Sequence, residues 1–343
     1  MGLLTQSDDA RWMGAALALG KRSRGRTAPN PNVGCVTVKD DRVVGRGWTQ
    51  PGGRPHAEAM ALEQAGEQSR GATLYVTLEP CAHQSARGPA CSDLIVAAGV
   101  TRVVAAAEDP DPRTAGGGFA RLRAAEIDVT TGVREAEALA SFAGFVMRQR
   151  LGRPFVTLKL ATSLDGRIAL ASGESRWITG EPARAHVHLE RSRQEAILVG
   201  RGTWEADTPH LDVRLEGLEG RSPMRVVLSR HPSEGRGPSS SEEGLDPGLR
   251  RDDEMSVSSL EQIAALPCDS LLVEGGAETA AAFLRADLVD RLLLYRAPIL
   301  IGTGKSAIGD LGLNDLAETH GRWRLADARM LGSDRFESYL RRR

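Results

Sequence analysis

The sequence predicts an α/β protein of two domains, and three observations carry that prediction. Apolar β-type runs alternate with helical ones, as in Ala72 to Leu78, Ser92 to Ala98 and Arg102 to Ala106, which is the pattern of a mixed or parallel sheet with helices on its faces. At 343 residues and 41% hydrophobic content the chain is long enough for two cores. An Ala-rich helical run from Glu135 to Gln149 gives way to Gly152-Arg153-Pro154, and a new strand starts at Phe155. Residues 1-148 are therefore expected as one domain and 152-343 as the other.

Asp8 to Lys21 carries Trp12, Met13, Ala16, Leu17 and Leu19 at helical spacing behind an acidic start, which predicts a first amphipathic helix. Pro29-Asn30-Pro31-Asn32-Val33-Gly34 ends it. Cys35 to Val38 and Val43 to Trp48, joined through Asp40-Asp41, read as a hairpin. Asn30, held between prolines, is equally a turn former and an amide suited to a flat heterocycle. His56 opens a helical run to Gly66, the strand Ala72 to Leu78 delivers Cys81 at its C-terminal end, and Cys91 begins the next helix.

Those placements matter because His56-Ala57-Glu58, Glu79-Pro80-Cys81 and Cys91 have the residue types of a catalytic zinc site. Three protein ligands plus an open position let zinc activate water, and His56, Cys81 and Cys91 offer one imidazole and two thiolates. Glu58 follows the His by two residues, placed to move protons rather than to bind metal, as in the H-x-E and P-C-x-x-C signature of zinc deaminases. Here nine residues, not two, separate the cysteines. A closed structural site would need a fourth ligand, for which His83 is the neighbour in sequence.

Composition narrows the partners. A net charge of −1 leaves no electrostatic footprint for a polynucleotide, so no nucleic acid and a small-molecule substrate are expected. No apolar run approaches the ~20 residues of a membrane span, and Met1 to Ala10 lacks a signal-peptide pattern, which predicts a cytoplasmic protein with no membrane partner. Two of the four cysteines are needed as thiolates, which suits a reducing compartment; Cys35 and Cys268 read as small buried residues. Assembly into a homo-oligomer is left open.

Taken together, His56-Ala57-Glu58, Glu79-Pro80-Cys81-x-His83, the wide gap to Cys91, Asn30-Pro31-Asn32-Val33-Gly34-Cys35, and Asp109-Pro110-Asp111-Pro112 with Gly116 to Gly118 resemble the bifunctional riboflavin-biosynthesis deaminase/reductase family. The resemblance implies a cytidine deaminase-like N-terminal domain followed by a dihydrofolate reductase-like C-terminal domain. It implies Zn2+ on His56, Cys81 and Cys91, Glu58 as proton shuttle, and hydrolysis of the 2-amino group of 2,5-diamino-6-(5-phosphoribosylamino)pyrimidin-4(3H)-one. Family members commonly read Cys-x-His-x-Gly-x-Thr-Pro-Pro-Cys between the cysteines, whereas here one residue is added and the Gly, Thr and Pro-Pro pattern is altered. A loop absorbs an insertion cheaply, so the ligands stand, while substrate contacts from Ala82 to Ala90 are left open.

Phe155 to Ala161 reads as a strand and Ser163 to Arg167 as a turn; with Ser172 to Thr179 they resemble the family's reductase half, which implies NADPH. By that resemblance Ala161, Trp177, Thr203, Asp207, Ser229, Gly276, Ala277, Glu278, Thr279, Ala280, Ala281 and Ala282 bind the cofactor. Ser175, Arg191, Leu211, Arg214 and Glu274 then contact the pyrimidine ribose phosphate, whose ribosyl group is reduced to ribityl. The residues alone say less. Leu271 to Ala280 runs an apolar strand through Gly275-Gly276 into a helix, equally a phosphate-binding junction and a plain turn. Arg191 suits bidentate phosphate binding and is also an unremarkable helix residue. Lys159 and Asp165 are expected as a polar pair facing the ribosyl group, and residues 230-259 as a solvated loop. Gly302-x-Gly304-x-x-Ala307 is no dinucleotide fingerprint, and His186-x-His188 faces two ways on a helix. The competing readings are a zinc deaminase for cytidine or a tRNA base with an unrelated second domain, and a binding protein with a degenerate site; Glu58 argues against the latter.

Overall fold

The computed structural model describes residues 6–83, 87–229 and 254–343. The chain divides into two compact units, Met1–Gly152 and Arg153–Arg343.

The first unit runs α1 (Gln6–Gly20), β1 (Gly34–Lys39), β2 (Arg42–Trp48), α2 (Ala57–Ala65), β3 (Thr73–Val76), α3 (Cys91–Ala97), β4 (Arg102–Ala105), α4 (Gly117–Ala124), β5 (Asp128–Thr130), α5 (Glu135–Ser141) and α6 (Ala143–Leu151). Its sheet has the order β2-β1-β3-β4-β5. β1 is antiparallel to β2 and β3, while β3, β4 and β5 are parallel. α1 turns Met13, Ala16 and Leu17 into the core, the spacing that identified it as a helix. Asp9 then pins it down, accepting from Tyr75 Oη at 2.9 Å and from two Arg102 nitrogens at 2.9 and 2.8 Å. α2 lies so close on β2 that a Cβ at Gly45 or Gly47 would fall 2.0 Å from the Ala61 or Ala57 carbonyl oxygen. That close seat fixes the start of α2 against the sheet. The helical run predicted over Glu135 to Gln149 is split at Phe142, which leaves the helical region (φ −120°, ψ 38°) with its ring buried.

The second unit runs β6 (Phe155–Thr162), β7 (Arg167–Ala169), α7 (Glu181–Arg191), β8 (Ala196–Gly200), α8 (Arg201–Asp207), β9 (Met224–Leu228), β10 (Glu254–Val257), β11 (Ser270–Val273), α9 (Ala277–Arg285), β12 (Arg291–Arg296), β13 (Lys305–Ser306), β14 (Trp323–Leu331) and β15 (Asp334–Arg341). The large sheet has the order β10-β9-β8-β11-β6-β12-β15-β14, and β7 pairs with β13 apart from it. From β10 to β12 all neighbours are parallel; the β14–β15 hairpin closes the other end antiparallel. Parallel strands covered on both faces read as unbroken apolar runs, and β8 is buried at every residue. α7 buries Ala183, His186, Val187 and Glu190 in one stripe. Arg153 donates to both Asp290 oxygens at 2.7 and 2.9 Å, tying the start of β6 to the turn before β12.

The solvated loop expected over 230-259 is corrected at its C-terminal end: Glu254–Val257 is a strand pairing with β9, with Met255 and Val257 buried. Its alternation is short and embedded in polar residues, which hid it. Residues 230–253 of that expectation lie outside the described residues. Among the described residues no helix is long and apolar enough to cross a membrane.

Candidate active sites

In the first unit the donors converge at the carboxyl end of β3. His56 is the N-cap residue of α2, Glu58 lies in its first turn, and Cys91 opens α3, so two helix N-termini meet the chain leaving β3 at Cys81. Ligand crevices form at such strand ends. The donor atoms of His56, Cys81 and Cys91 all lie within 4.8 Å of one another. His56 Nδ1 is 3.3 Å from Cys91 Sγ and 3.7 Å from Cys81 Sγ. Zinc bonds of about 2.0–2.3 Å at tetrahedral angles require donors about 3.3–3.8 Å apart, so the set fits that ion. The Asn30 amide meets the other ring nitrogen, Nε2, at 3.2 Å, which leaves Nδ1 to face the thiols. His83 bonds Thr114 Oγ1 at 3.2 Å instead of joining the cluster, so among the described residues three donors converge and not four.

The two thiols lie within hydrogen-bonding reach of each other. Hydrogen bonding from Cys91 holds the Cys81 thiol at about 4, against the opposing effect of its burial. Cys91 is pushed up, first by that bond and then by burial. Metal coordination would deprotonate both. Burial pushes the Glu58 carboxyl up to about 7; the charge of His56 opposes this and that of Cys81 adds to it.

In the second unit the carboxyl ends of parallel strands gather the polar groups. Glu274 follows β11 and accepts from Arg191 Nε and Nη2 at 2.7 and 2.9 Å, with Lys159 Nζ at 3.6 Å. Arg191 Nη1 also donates to the Asp212 carbonyl at 3.0 Å, drawing in the segment from Leu211 to Arg214. Leu211 is buried at φ +54°, a left-handed backbone that side chains seldom adopt outside constrained sites. Burial raises the Glu274 carboxyl, but the charges of Arg191 and Lys159 outweigh it and hold the group at about 2. α9 begins next door with Gly276 as an N-cap that makes no side-chain cap bond. A Cβ on Gly276 would lie 3.6 Å from Thr203 Oγ1, and one on Gly275 2.6 Å from Thr279 Cβ, so helix, strand and α8 are closely packed.

Residues 6–107 match the cytidine and deoxycytidylate deaminase zinc-binding region, and residues 154–335 match the RibD C-terminal domain. The chain is 41% identical to the riboflavin biosynthesis protein RibD of Escherichia coli, over 95% of this chain and 97% of that protein. The chain belongs to the RibD family. It is an enzyme of riboflavin biosynthesis with a pyrimidine deaminase half, carrying a His-Cys-Cys zinc site, and a reductase half. RibD of Acinetobacter baumannii superposes with a TM-score of 0.85 at 38% identity, covering 99% of this chain and 100% of that one. A Thermotoga maritima diaminohydroxyphosphoribosylaminopyrimidine deaminase/5-amino-6-(5-phosphoribosylamino)uracil reductase gives 0.85 at 35%, covering 98% and 99%.

Within this RibD framework the predicted site residues fall unevenly. Arg191 and Glu274 are paired, and Arg191 holds the Asp212 carbonyl between the buried Leu211 and the exposed Arg214, whereas Ser175 is exposed on the loop between β7 and α7. That loop is tied to α8 by Arg176, 3.5 Å from Asp207, and the exposed Trp177 ring stacks under Arg184 at 4.8 Å. Ala161 is on β6, and Ser229 follows β9 with its hydroxyl donated to Val257 O at 3.2 Å. Thr279, Ala280, Ala281 and Ala282 are turned into the core, while Gly276, Ala277 and Glu278 form the open first turn of α9. Lys159 and Asp165 do not pair; Asp165 instead accepts from Ser163 Oγ and from the amides of Ile301 and Gly302. His186 bonds Tyr295 Oη and His188 the Asp212 carbonyl, two different directions as their spacing requires.

Glu79 is the residue whose role the motif did not reveal. Its buried carboxylate accepts the amides of Asp109, Gly116, Gly118 and Phe119 at 3.2, 3.0, 2.9 and 3.1 Å, clamping the start of α4 to the strand exit that carries Cys81. A Cβ on Gly118 would fall 1.9 Å from the Pro80 carbonyl oxygen, so the glycine permits that approach. A carboxylate two residues before the cysteine was the available signal.

Proposed function

We propose that the first unit hydrolyses the 2-amino group of 2,5-diamino-6-(5-phosphoribosylamino)pyrimidin-4(3H)-one. The second unit then reduces the ribosyl group of 5-amino-6-(5-phosphoribosylamino)uracil to ribityl with NADPH. The observation that carries this reading is the convergence of three zinc-type donors with a buried carboxylate from the same helix start. His56, Cys81 and Cys91 would hold Zn2+, which would supply the Lewis acidity that makes water a nucleophile near neutral pH. Glu58 takes a proton from the water and delivers it to the leaving amine, so that water enters and ammonia departs. Asn30 orients the imidazole through Nε2.

In the second unit the open first turn of α9, Gly276 to Glu278, with Thr203 beside it, would hold a cofactor phosphate, and Ser229 would also contact the cofactor. By the same reading Ala161, Trp177 and Asp207 also contact the cofactor, and the buried Thr279 to Ala282 support the helix start. Ser175, Arg191, Leu211, Arg214 and Glu274 orient the phosphoribosyl group. Bound NADPH would supply the hydride for C1′ as the C1′–O4′ bond of the ribose opens and its oxygen takes up a proton, and the chain supplies orientation. Both activities and the two thiolates suit the cytoplasm.

Zinc removal by chelation tests the division of labour. Ammonia release should stop and return on zinc addition, while NADPH oxidation with the deaminated intermediate continues. Undiminished ammonia release from zinc-free protein would sink the assignment.

A further inference from the structure

His188 has no part in the reaction derived above, yet its ring lies against a segment that the reaction uses. It stands three positions before Arg191, on the same face of α7. Its Nδ1 is 3.1 Å from the Asp212 carbonyl oxygen and 3.3 Å from the Arg214 amide nitrogen. An acceptor and a donor thus meet one ring nitrogen, which donates to the carbonyl when it carries a proton and accepts from the amide when it does not. Either way the ring ties α7 to the backbone on both sides of Val213. Arg191 Nη1 supports the same carbonyl at 3.0 Å, whereas among the described residues the Arg214 amide has no partner other than His188.

The other anchors of this segment set its depth. Leu211 and Val213 are buried, and the Val213 amide donates to Ser222 Oγ at 3.0 Å. The Arg214 side chain is exposed, with Nε 3.3 Å from Asp212 Oδ1, so its aim depends on how the backbone beneath it is held. Burial, then the charges of Arg191 and Arg214, push the His188 imidazole below its ordinary value, so it is neutral near pH 7 and adds no third cation. We propose that His188 is a positioning residue of the reductase half, holding the 212–214 backbone so that Arg214 meets the phosphoribosyl group together with Arg191. This inference rests on the reading of Arg191 and Arg214 as substrate contacts given above.

The test measures NADPH oxidation by the full chain with 5-amino-6-(5-phosphoribosylamino)uracil and with the same compound lacking its phosphate, the group that arginines bind best. His188→Leu should raise KM for the phosphorylated compound about tenfold, while kcat and KM for NADPH stay within about twofold of wild type and so report a folded unit. On the dephosphorylated compound kcat/KM should not move. His188→Asn should restore KM, because its amide brings a donor and an acceptor to the place of Nδ1; His188→Gln carries them one bond further and should not. An unchanged KM in His188→Leu, or a His188→Asn protein no better than it, overturns the positioning role and leaves the reduction standing. Equal losses on both compounds also overturn it, because a merely structural histidine would act that way. A wild-type protein that treats the two compounds alike overturns the substrate reading of Arg191 and Arg214 and this inference with it, and one that reduces neither overturns the reductase reading itself.

Discussion

Glu58 and Glu274 are both nearly buried carboxylates at the carboxyl ends of their sheets, and their surroundings hold them in opposite states. Burial pushes Glu58 up to about 7, with the nearby thiols for company. Glu274 is also desolvated, yet Arg191 and Lys159 hold it at about 2. The difference separates two uses of one functional group. A carboxyl near neutrality can take and return a proton, whereas one locked between two cations is a fixed charge that positions its partners.

The largest break in this comparison is expected at Glu58. Glu58→Gln should lower the rate of ammonia release by about 10²–10⁴-fold, while NADPH oxidation with the deaminated intermediate stays at its wild-type rate. Parallel loss of both activities would show that Glu58 supports structure rather than proton transfer.

Arg191→Met should be next, because it leaves Glu274 nearly buried beside Lys159 alone. Losing one partner of such a pair costs roughly 3–5 kcal/mol, read as a lower denaturant midpoint for the second unit. Adding Glu274→Gln should recover part of the loss, and no recovery would show that the two side chains are not energetically coupled.

The pH response follows from the depressed group. Glu274 has a folded pKa of about 2, below its unfolded value, so it stabilises the fold above the unfolded pKa of roughly 4.3. That contribution is lost as the pH falls from there toward about 2. Calorimetry of the wild-type chain should show this decline, and Glu274→Gln should flatten it; identical pH slopes would contradict the pairing.

The smallest effect is expected at Ser229. Its hydroxyl proton is already given to Val257 O, so Ser229→Ala should change KM for NADPH by no more than about threefold. A tenfold rise would mean that the hydroxyl turns to the cofactor.

The same contrast explains what could be read from the residues. Metal binding demands particular atoms, so His56, Cys81 and Cys91 stood out by type and order, and they meet in space. The Glu79 clamp depends on amides of Asp109, Gly116, Gly118 and Phe119, which almost any residue other than proline would supply. Glu274 meets Arg191 from 83 positions away, and nothing local marks either residue. Asp165 and Lys159 are expected as a polar pair because they lie on the first strand and turn of the second half, but strand and turn send them to different partners. β10 was concealed by four residues of weak alternation among polar neighbours. Strand ends and helix starts build the reductase site, and those become visible only when the sheet is assembled.

The most direct measurement of the central claim is the mass of the products formed by the purified chain from the diaminopyrimidine phosphate, with and without NADPH. Two sites on one chain predict replacement of one amine by oxygen without NADPH, and that change plus two added hydrogens with it. Formation of the two-hydrogen product with its amine retained, or no second change on adding NADPH, would contradict the account.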